Sequence, residues 1–223
     1  MDFDALGLTL RLATLTTVLL LLVATPLAAY ITRTHSGLRK FLQAMVALPL
    51  VLPPTVLGFY LLVGLGPTTG VGRLLIRVVG HPLAFTFSGL VVGSMLFSLP
   101  FAVQPLVVAF SSVPQELVET AAVLGASPKT VFWRVTLPLS RAGFVTAAVL
   151  TFTHTVGEFG VVLMIGGDIP GVTRTLSLSI YDQVQELNYG AANLTALWLI
   201  GLSFLALLAV YARTGPAQGA DLG

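Results

Sequence analysis

The sequence has no cysteine and very little charge. Without cysteine it can form neither a disulfide bond nor a thiolate metal site. Lys, Arg, Asp and Glu make up 9% of the 223 residues, against roughly 25% in an ordinary soluble domain. Apolar residues make up 56% of the chain, and the mean hydropathy is +0.95. This composition leaves no room for a large soluble domain and indicates an all-α integral membrane protein.

Long stretches without Asp, Glu, Lys or Arg divide the chain into membrane-spanning segments. A helix needs about 20 apolar residues to cross roughly 30 Å of hydrocarbon. We predict a single transmembrane domain over residues 1–223 with five helices, of which the first is too long to be a removable signal peptide. The predicted spans are 12–32, 44–66, 84–110, 142–165 and 191–212.

The basic residues in the short connections predict the orientation, because cytoplasmic loops retain Lys and Arg. An N-out/C-in arrangement places seven of the eleven basic residues in the cytoplasm and four outside. The cytoplasmic set is Arg33, Arg39, Lys40, Lys129, Arg134, Arg141 and Arg213, and the outer set is Arg11, Arg73, Arg77 and Arg174. The formal net charge of +2 then reflects this asymmetry, and we predict no nucleic-acid surface.

Two of the predicted spans contain several prolines. The second span holds Pro49, Pro53 and Pro54, and the third holds Pro100 and Pro105. Proline removes a backbone donor and kinks a helix, which the membrane tolerates where neighbouring helices or a water-lined cavity satisfy the freed carbonyls. Irregular packing is one interpretation. A bundle that opens and closes around a path is the interpretation we favour.

The fourth span carries a polar stripe. Thr151, His154, Thr155 and Glu158 occur at i, i+3, i+4 and i+7, so they share one face of a helix. Ionisable groups inside a membrane generally face the bundle interior or a water cavity, so these residues are candidates for a pathway or gate. The alternative is a His154–Glu158 pair that locks helices together. One His and one Glu are too few ligands for a metal site.

Residues 112–138 form a polar segment between apolar spans, which we predict to be a cytoplasmic helix-turn-helix. Ser112 is a candidate N-cap of its first helix, and Gly125 can supply the left-handed residue that ends it. Ser127 then caps a second helix with Pro128 at its first position. By these signals alone, the segment could also be an amphipathic element lying on lipid.

The order of residues in this segment resembles the EAA loop of ABC-importer permeases. The matching residues are Glu119, Ala121, Ala122, Leu124, Gly125, Ala126, Phe132, Val135, Leu137 and Pro138. Thr120 replaces the first alanine of the Glu-Ala-Ala triplet but keeps the side chain small. The resemblance implies a type I importer permease fold in which this loop docks on an ATPase subunit and couples it to the membrane helices.

Other segments narrow the resemblance to the molybdate-transport permeases, with tungstate, sulfate and thiosulfate permeases as alternatives. They include "GEFG" at 157–160, "IPG" at 169–171 and "TRT" at 173–175. The resemblance implies a multi-pass homodimer in the cytoplasmic membrane of a prokaryote, two ATPase subunits that hold ATP and Mg²⁺, and an extracytoplasmic oxyanion-binding protein. It implies no cofactor and no catalytic site in this chain, which also lacks a G-x-x-x-x-G-K-[ST] phosphate loop.

Within that interpretation the polar stripe has two kinds of role. Threonine hydroxyls are suitable donors to a tetrahedral dianion, and Thr151 and Thr155 are candidates on geometry. Glu158 has the wrong charge for a ligand, so we expect a structural or gate-orienting role. A stand-alone secondary anion carrier is the alternative from another class; it predicts inverted repeats and a midplane ion site, and the sequence shows neither.

Overall fold

The computed structural model describes residues 2–34 and 37–213, and its regular elements over those residues are all helices. The predicted domain 1–223 therefore extends past the described residues at both ends. The helices are α1 Phe3–Arg33, α2 Gly37–Val51, α3 Pro54–Leu65, α4 Gly70–Val79, α5 Phe87–Ser111, α6 Gln115–Val123, α7 Pro128–Val131, a π-helical turn Phe132–Thr136, α8 Leu137–Leu139, α9 Arg141–Val156, α10 Gly160–Gly166, α11 Leu176–Gln185 and α12 Tyr189–Arg213.

Three helices are each long and apolar enough to cross a membrane. They are α1, α5 and the Tyr189–Leu208 part of α12. Two bent pairs also qualify when each is taken as one span: α2 with α3, bent by 109°, and Pro128–Leu139 with α9, bent by 69°. The described residues thus provide three spans, or five if each bent pair is a single broken span.

The predicted second span, 44–66, is divided by its prolines. α2 contains Pro49 and ends at Val51, while Pro53 and Pro54 begin α3 in a new direction. Pro53 has extended backbone (ψ 133°), the conformation that a following proline imposes. The change of direction packs α3 on α10, so closely that a Cβ atom on Gly58 would lie 2.7 Å from the Cβ of Met164.

The third predicted span is one continuous helix, whereas the fourth is broken into two. α5 runs without a break through Pro100 and Pro105. The segment 142–165, by contrast, is interrupted, because α9 ends at Val156 and α10 begins at Gly160. Three residues between these helices, 157–159, therefore lie outside regular helix at a predicted membrane depth, where protein must surround them.

The core is the contact of α1, α5 and α9, and small side chains bring these helices close together. Ala24 and Ala28 of α1, Ala102 of α5 and Ala147 of α9 are fully buried in one cluster. Gly143 of α9 lies directly against α5 because it has no Cβ atom. An added Cβ would be 2.2 Å from the Cβ of Ala109. Small residues commonly let membrane helices approach in this way.

Hydrogen bonds and ion pairs organise the segment around α11. The Thr9 hydroxyl of α1 accepts from the backbone N–H of Leu176 at 2.9 Å. Arg174 forms ion pairs with Asp168 and Asp182, each at 3.0 Å. Partial burial and the neighbouring Asp168 raise the pKa of the Asp182 carboxyl. The connection between α10 and α11 is therefore held to α11 by charge.

Candidate coupling hairpin and buried polar cluster

The turn of the helical hairpin, residues 115–139, is closed by backbone hydrogen bonds around Gly125. Gly125 has φ +84°, its N–H donates to the Ala122 carbonyl at 2.9 Å, and the Ala126 N–H donates to the Ala121 carbonyl at 3.0 Å. This pair of bonds is the Schellman motif, which requires a left-handed residue after the helix end. The predicted role of Gly125 as the residue that ends the first helix is confirmed.

The predictions at the ends of the two hairpin helices have different outcomes. Ser127 caps the second helix by accepting from the Thr130 N–H at 3.2 Å, and Pro128 is the first helical residue, as predicted. The prediction for Ser112 is wrong. Ser112 is the C-cap of α5, where its hydroxyl donates to the Ala109 carbonyl at 2.9 Å, and α6 begins at Gln115 after Pro114.

The tip of the hairpin exposes apolar side chains. Val123 is 87% exposed and Leu124 is 82% exposed, and α6 has no buried residue. Glu119, Ala122 and Gly125 are also exposed. Exposed apolar side chains grouped beside a rigid turn are typical of a protein-binding surface.

The other matching residues anchor the hairpin or lie along its second helix. Phe132 is half-buried, with its ring 5.7 Å from that of Phe110 in α5. Ala121, Ala126 and Leu137 are also half-buried, and Pro138 is exposed. Phe132 begins the π-helical turn, a widened turn that often marks functional sites. The exposed tip is thereby attached to α5 through an aromatic contact.

Two of the four candidate pathway residues contact Ser98 of α5. The Ser98 hydroxyl lies 2.9 Å from Nδ1 of His154 and 3.1 Å from the Thr155 hydroxyl. The His154 ring stacks on Phe101 with centroids 4.0 Å apart. Thr155 donates to the Thr151 carbonyl at 2.9 Å, while the buried Thr151 hydroxyl has no partner among the described residues. α5 and α9 are therefore joined by a buried polar cluster.

Glu158 belongs to this region but not to the predicted helical stripe. α9 ends at Val156, so the i+7 position lies in the break between α9 and α10. The side chain is 3% exposed and lies beside Ser94, yet neither carboxylate oxygen has a hydrogen-bond partner among the described residues. The alternative His154–Glu158 pair does not form, because His154 hydrogen-bonds Ser98 instead. The Ser177 hydroxyl donates to the Glu158 backbone carbonyl.

Ser94 and Ser98 of α5 are functional candidates that we did not predict from the sequence, although a signal for them is present. Both are fully buried, and they are four residues apart on the same face of α5. In an otherwise apolar helix, two hydroxyls at that spacing indicate a polar strip facing other protein. The structure brings this strip opposite the α9 residues and Glu158.

The comparison with protein families identifies the class of the chain. Residues 11–214 match the family described as "Binding-protein-dependent transport system inner membrane component". The chain belongs to this family. It is therefore the inner-membrane permease subunit of an ABC importer. It is not itself an enzyme and carries no nucleotide cofactor, since ATP is bound and hydrolysed by a separate subunit.

Related sequences include permeases named for molybdenum and for sulfate. The chain is 53% identical over 210 residues to the molybdenum transport system permease protein ModB of Azotobacter vinelandii, covering 94% of this chain and 93% of that protein. It is 40% identical to ModB of Mycobacterium tuberculosis, covering 94% and 79%. It is 36% identical to sulfate permease 2, chloroplastic, of Chlamydomonas reinhardtii, covering 91% and 55%.

Solved ABC importers share the fold. A bacterial ABC transporter involved in import of the polysaccharide alginate matches with a TM-score of 0.76 at 22% identity, covering 97% of this chain and 79% of that one. The MetNI methionine ABC transporter, in inward-facing conformations, matches with a TM-score of 0.73 at 19% identity, covering 96% and 94%. The predicted importer permease fold is confirmed.

Proposed function

We propose that this chain forms the translocation path of a molybdate importer. The observation that carries the proposal is the 53% identity to the Azotobacter molybdenum permease over nearly the full length of both chains. The path would lie between two copies of the chain, served by an extracytoplasmic oxyanion-binding protein and two ATPase subunits. ATP binding and hydrolysis would bias this assembly between inward-open and outward-open states.

The hairpin is the proposed coupling element. Its exposed tip at Val123 and Leu124 offers apolar contact area, and the Gly125 turn fixes the tip's shape. Because Phe132 joins the hairpin to Phe110 of α5, movement of the docked ATPase would reach a membrane-spanning helix directly. The proposed coupling residues are Glu119, Ala121, Ala122, Gly125, Ala126, Phe132, Leu137 and Pro138.

The buried polar cluster is the proposed gate. Hydroxyls can bind a tetrahedral dianion without holding it so tightly that release is slow, and Thr151, Thr155 and Ser98 supply them. They lie between α5 and α9, so an anion would reach them only when these helices separate. Glu158 would repel the anion, and its proposed role is to orient the gate. His154 would hold Ser98 in place.

Reconstitution in liposomes tests the proposal. The permease would be combined with its ATPase and binding protein, and ATP turnover and anion uptake would be measured with molybdate, tungstate and sulfate. We expect molybdate to stimulate both. Stimulation by sulfate alone would contradict the substrate assignment and favour the second candidate function, sulfate import, which the Chlamydomonas relative supports.

The same preparation distinguishes a stand-alone carrier. Liposomes containing the permease without its ATPase are the control, and we expect no concentrative uptake from them. Molybdate accumulation in that control, driven by an ion gradient, would contradict the importer proposal.

A further inference from the structure

A wide apolar groove lies between α1 and the second helix of the hairpin. Its volume is about 750 Å³. One wall is the second half of α1, and the other is the segment from the hairpin to the start of α9. The apolar lining includes Leu22, Pro26, Phe132, Leu137 and Phe144. In size and lining, this groove suits a hydrocarbon chain.

Two cations line the same groove, at the end near Phe132. The Arg33 guanidinium lies over the Phe132 ring, 5.7 Å from its centroid, and Lys129 is one helical turn before Phe132. Leu22 lies about 16 Å from Arg33 along α1 at 1.5 Å per residue, so the charge is confined to one end. No carboxylate from the part of the chain that the structure describes lines the groove. Among the described residues, neither cation forms an ion pair with Asp or Glu.

Aromatic side chains mark the charged end as a membrane interface. Tyr30 is 54% exposed and Trp133 is 58% exposed, and both line the groove. Tyr and Trp concentrate at the level of lipid headgroups because their rings are apolar and their N–H or O–H groups are polar. Basic residues beside membrane helices attract anionic headgroups. The cations and aromatic side chains at one end of the groove therefore suit a phospholipid headgroup, and the apolar lining farther along suits its acyl chain.

We propose that this groove binds one anionic phospholipid, with the headgroup phosphate between Arg33 and Lys129 and an acyl chain along Leu22 and Pro26. The proposal goes beyond the transport function and does not depend on which anion is carried. Because Phe132 and Trp133 belong to the hairpin, the bound lipid would contact the proposed coupling element directly.

Native mass spectrometry of the detergent-purified permease–ATPase complex tests this proposal. Phosphatidylglycerol and phosphatidylcholine with identical acyl chains would be titrated in turn. We expect preferential retention of phosphatidylglycerol. Each cation contributes about 1 kcal/mol near an anionic surface, so Arg33→Gln or Lys129→Gln should weaken that binding about fivefold, and the double variant about thirtyfold. Phosphatidylcholine binding should be nearly unchanged.

The matched control is the double variant Lys40→Gln/Arg141→Gln, which removes two cations of the predicted cytoplasmic side that do not line the groove. It should keep the preference for phosphatidylglycerol. An equal loss in both double variants, or no loss in the groove variant, would overturn the proposal. The measured mass also counts permease copies: a groove variant that loses one copy would show that a second chain occupies the groove. If the double variant does not assemble, the two single variants decide the result.

Discussion

Glu158 is more completely buried than the other acidic residues that the structure describes. It is 3% exposed, and within residues 2–34 and 37–213 neither its carboxylate oxygens nor the neighbouring Ser94 hydroxyl has a hydrogen-bond partner. An isolated charge buried in this way is costly, as is a buried polar group without a hydrogen bond. A residue kept under those conditions is a candidate for function, here in orienting the gate.

We expect Glu158→Gln to be tolerated better than Glu158→Leu. Glutamine keeps the shape and offers an uncharged hydrogen-bond partner to the Ser94 hydroxyl, which leucine cannot do. A buried hydroxyl left unpaired costs about 1–3 kcal/mol relative to one that is hydrogen-bonded. The measurements are thermal unfolding of the purified chain and molybdate uptake at equal membrane abundance. Equal loss of uptake in both variants would show that the negative charge is the requirement.

Substitutions at Gly125 test the effect of backbone strain without a steric clash inside the chain. A Cβ atom at this position would meet nothing within 4 Å, so substitution within this chain costs only the strain of φ +84°, about 1–2 kcal/mol for an ordinary residue. We expect Gly125→Val to spare membrane insertion but to weaken ATPase co-purification or uncouple ATP turnover from uptake. Gly125→Asn, which tolerates this conformation better, should be milder.

Gly80 provides the control for that variant. It has φ +85° at the end of α4 and is equally open to a Cβ atom, but it lies outside the hairpin. Gly80→Val should therefore carry similar strain without loss of ATPase attachment. Normal ATPase binding and transport by Gly125→Val would refute the proposal that the hairpin is the coupling element.

The contact between α5 and α9 carries both the core packing and the polar cluster. Gly143 allows the close approach near one end of α9, and the bonds of Ser98 to His154 and Thr155 lie three turns farther along that helix. Spreading the helices at the glycine would therefore lengthen the hydrogen bonds at the cluster. Packing and gate geometry are coupled through one pair of helices.

We expect Gly143→Ala to destabilise the chain by about 1–3 kcal/mol, the usual cost of overpacking. The added Cβ would be 2.2 Å from the Cβ of Ala109, which has no rotamer to escape into. Thermal unfolding in detergent gives the measurement. Gly201→Ala on α12 is the control, because its Cβ would meet nothing within 4 Å. Equal stability of the two variants would contradict the tight α5–α9 contact.

The topology of the whole chain is a further prediction, because three spans and two bent pairs admit more than one path through the bilayer. Reporter fusions after Lys40, within 126–131 and after Arg213 should report cytoplasm. Fusions near Gly72 and Asp168 should report the outside, because the predicted outer connections hold fewer Lys and Arg residues than the cytoplasmic ones. A cytoplasmic signal at Asp168 would contradict the five-span, N-out/C-in arrangement.

Local chemistry in the sequence predicted the hairpin well, and long-range contacts explain the errors. Gly125, Ser127 and Pro128 act through their own backbone and nearest neighbours, so their roles could be predicted without a fold. Ser112 could not be assigned in the same way, because a serine between two helices can end one or begin the next. Glu158 was placed on a helix that stops at Val156, a break that no proline marks.

The sequence by itself determined the membrane class, the approximate spans and the turn of the hairpin. These depend on apolar run length and on residues that cap or break helices. Only the tertiary structure decided that Ser98 faces His154 and Thr155, that the buried Glu158 carboxylate has no partner among the residues described, and that an apolar groove with two cations at one end lies beside the hairpin. Lipid is as apolar as the interior of the bundle. Hydrophobicity therefore cannot show which face of a membrane helix meets its neighbours, and only packed helices reveal which side chains meet.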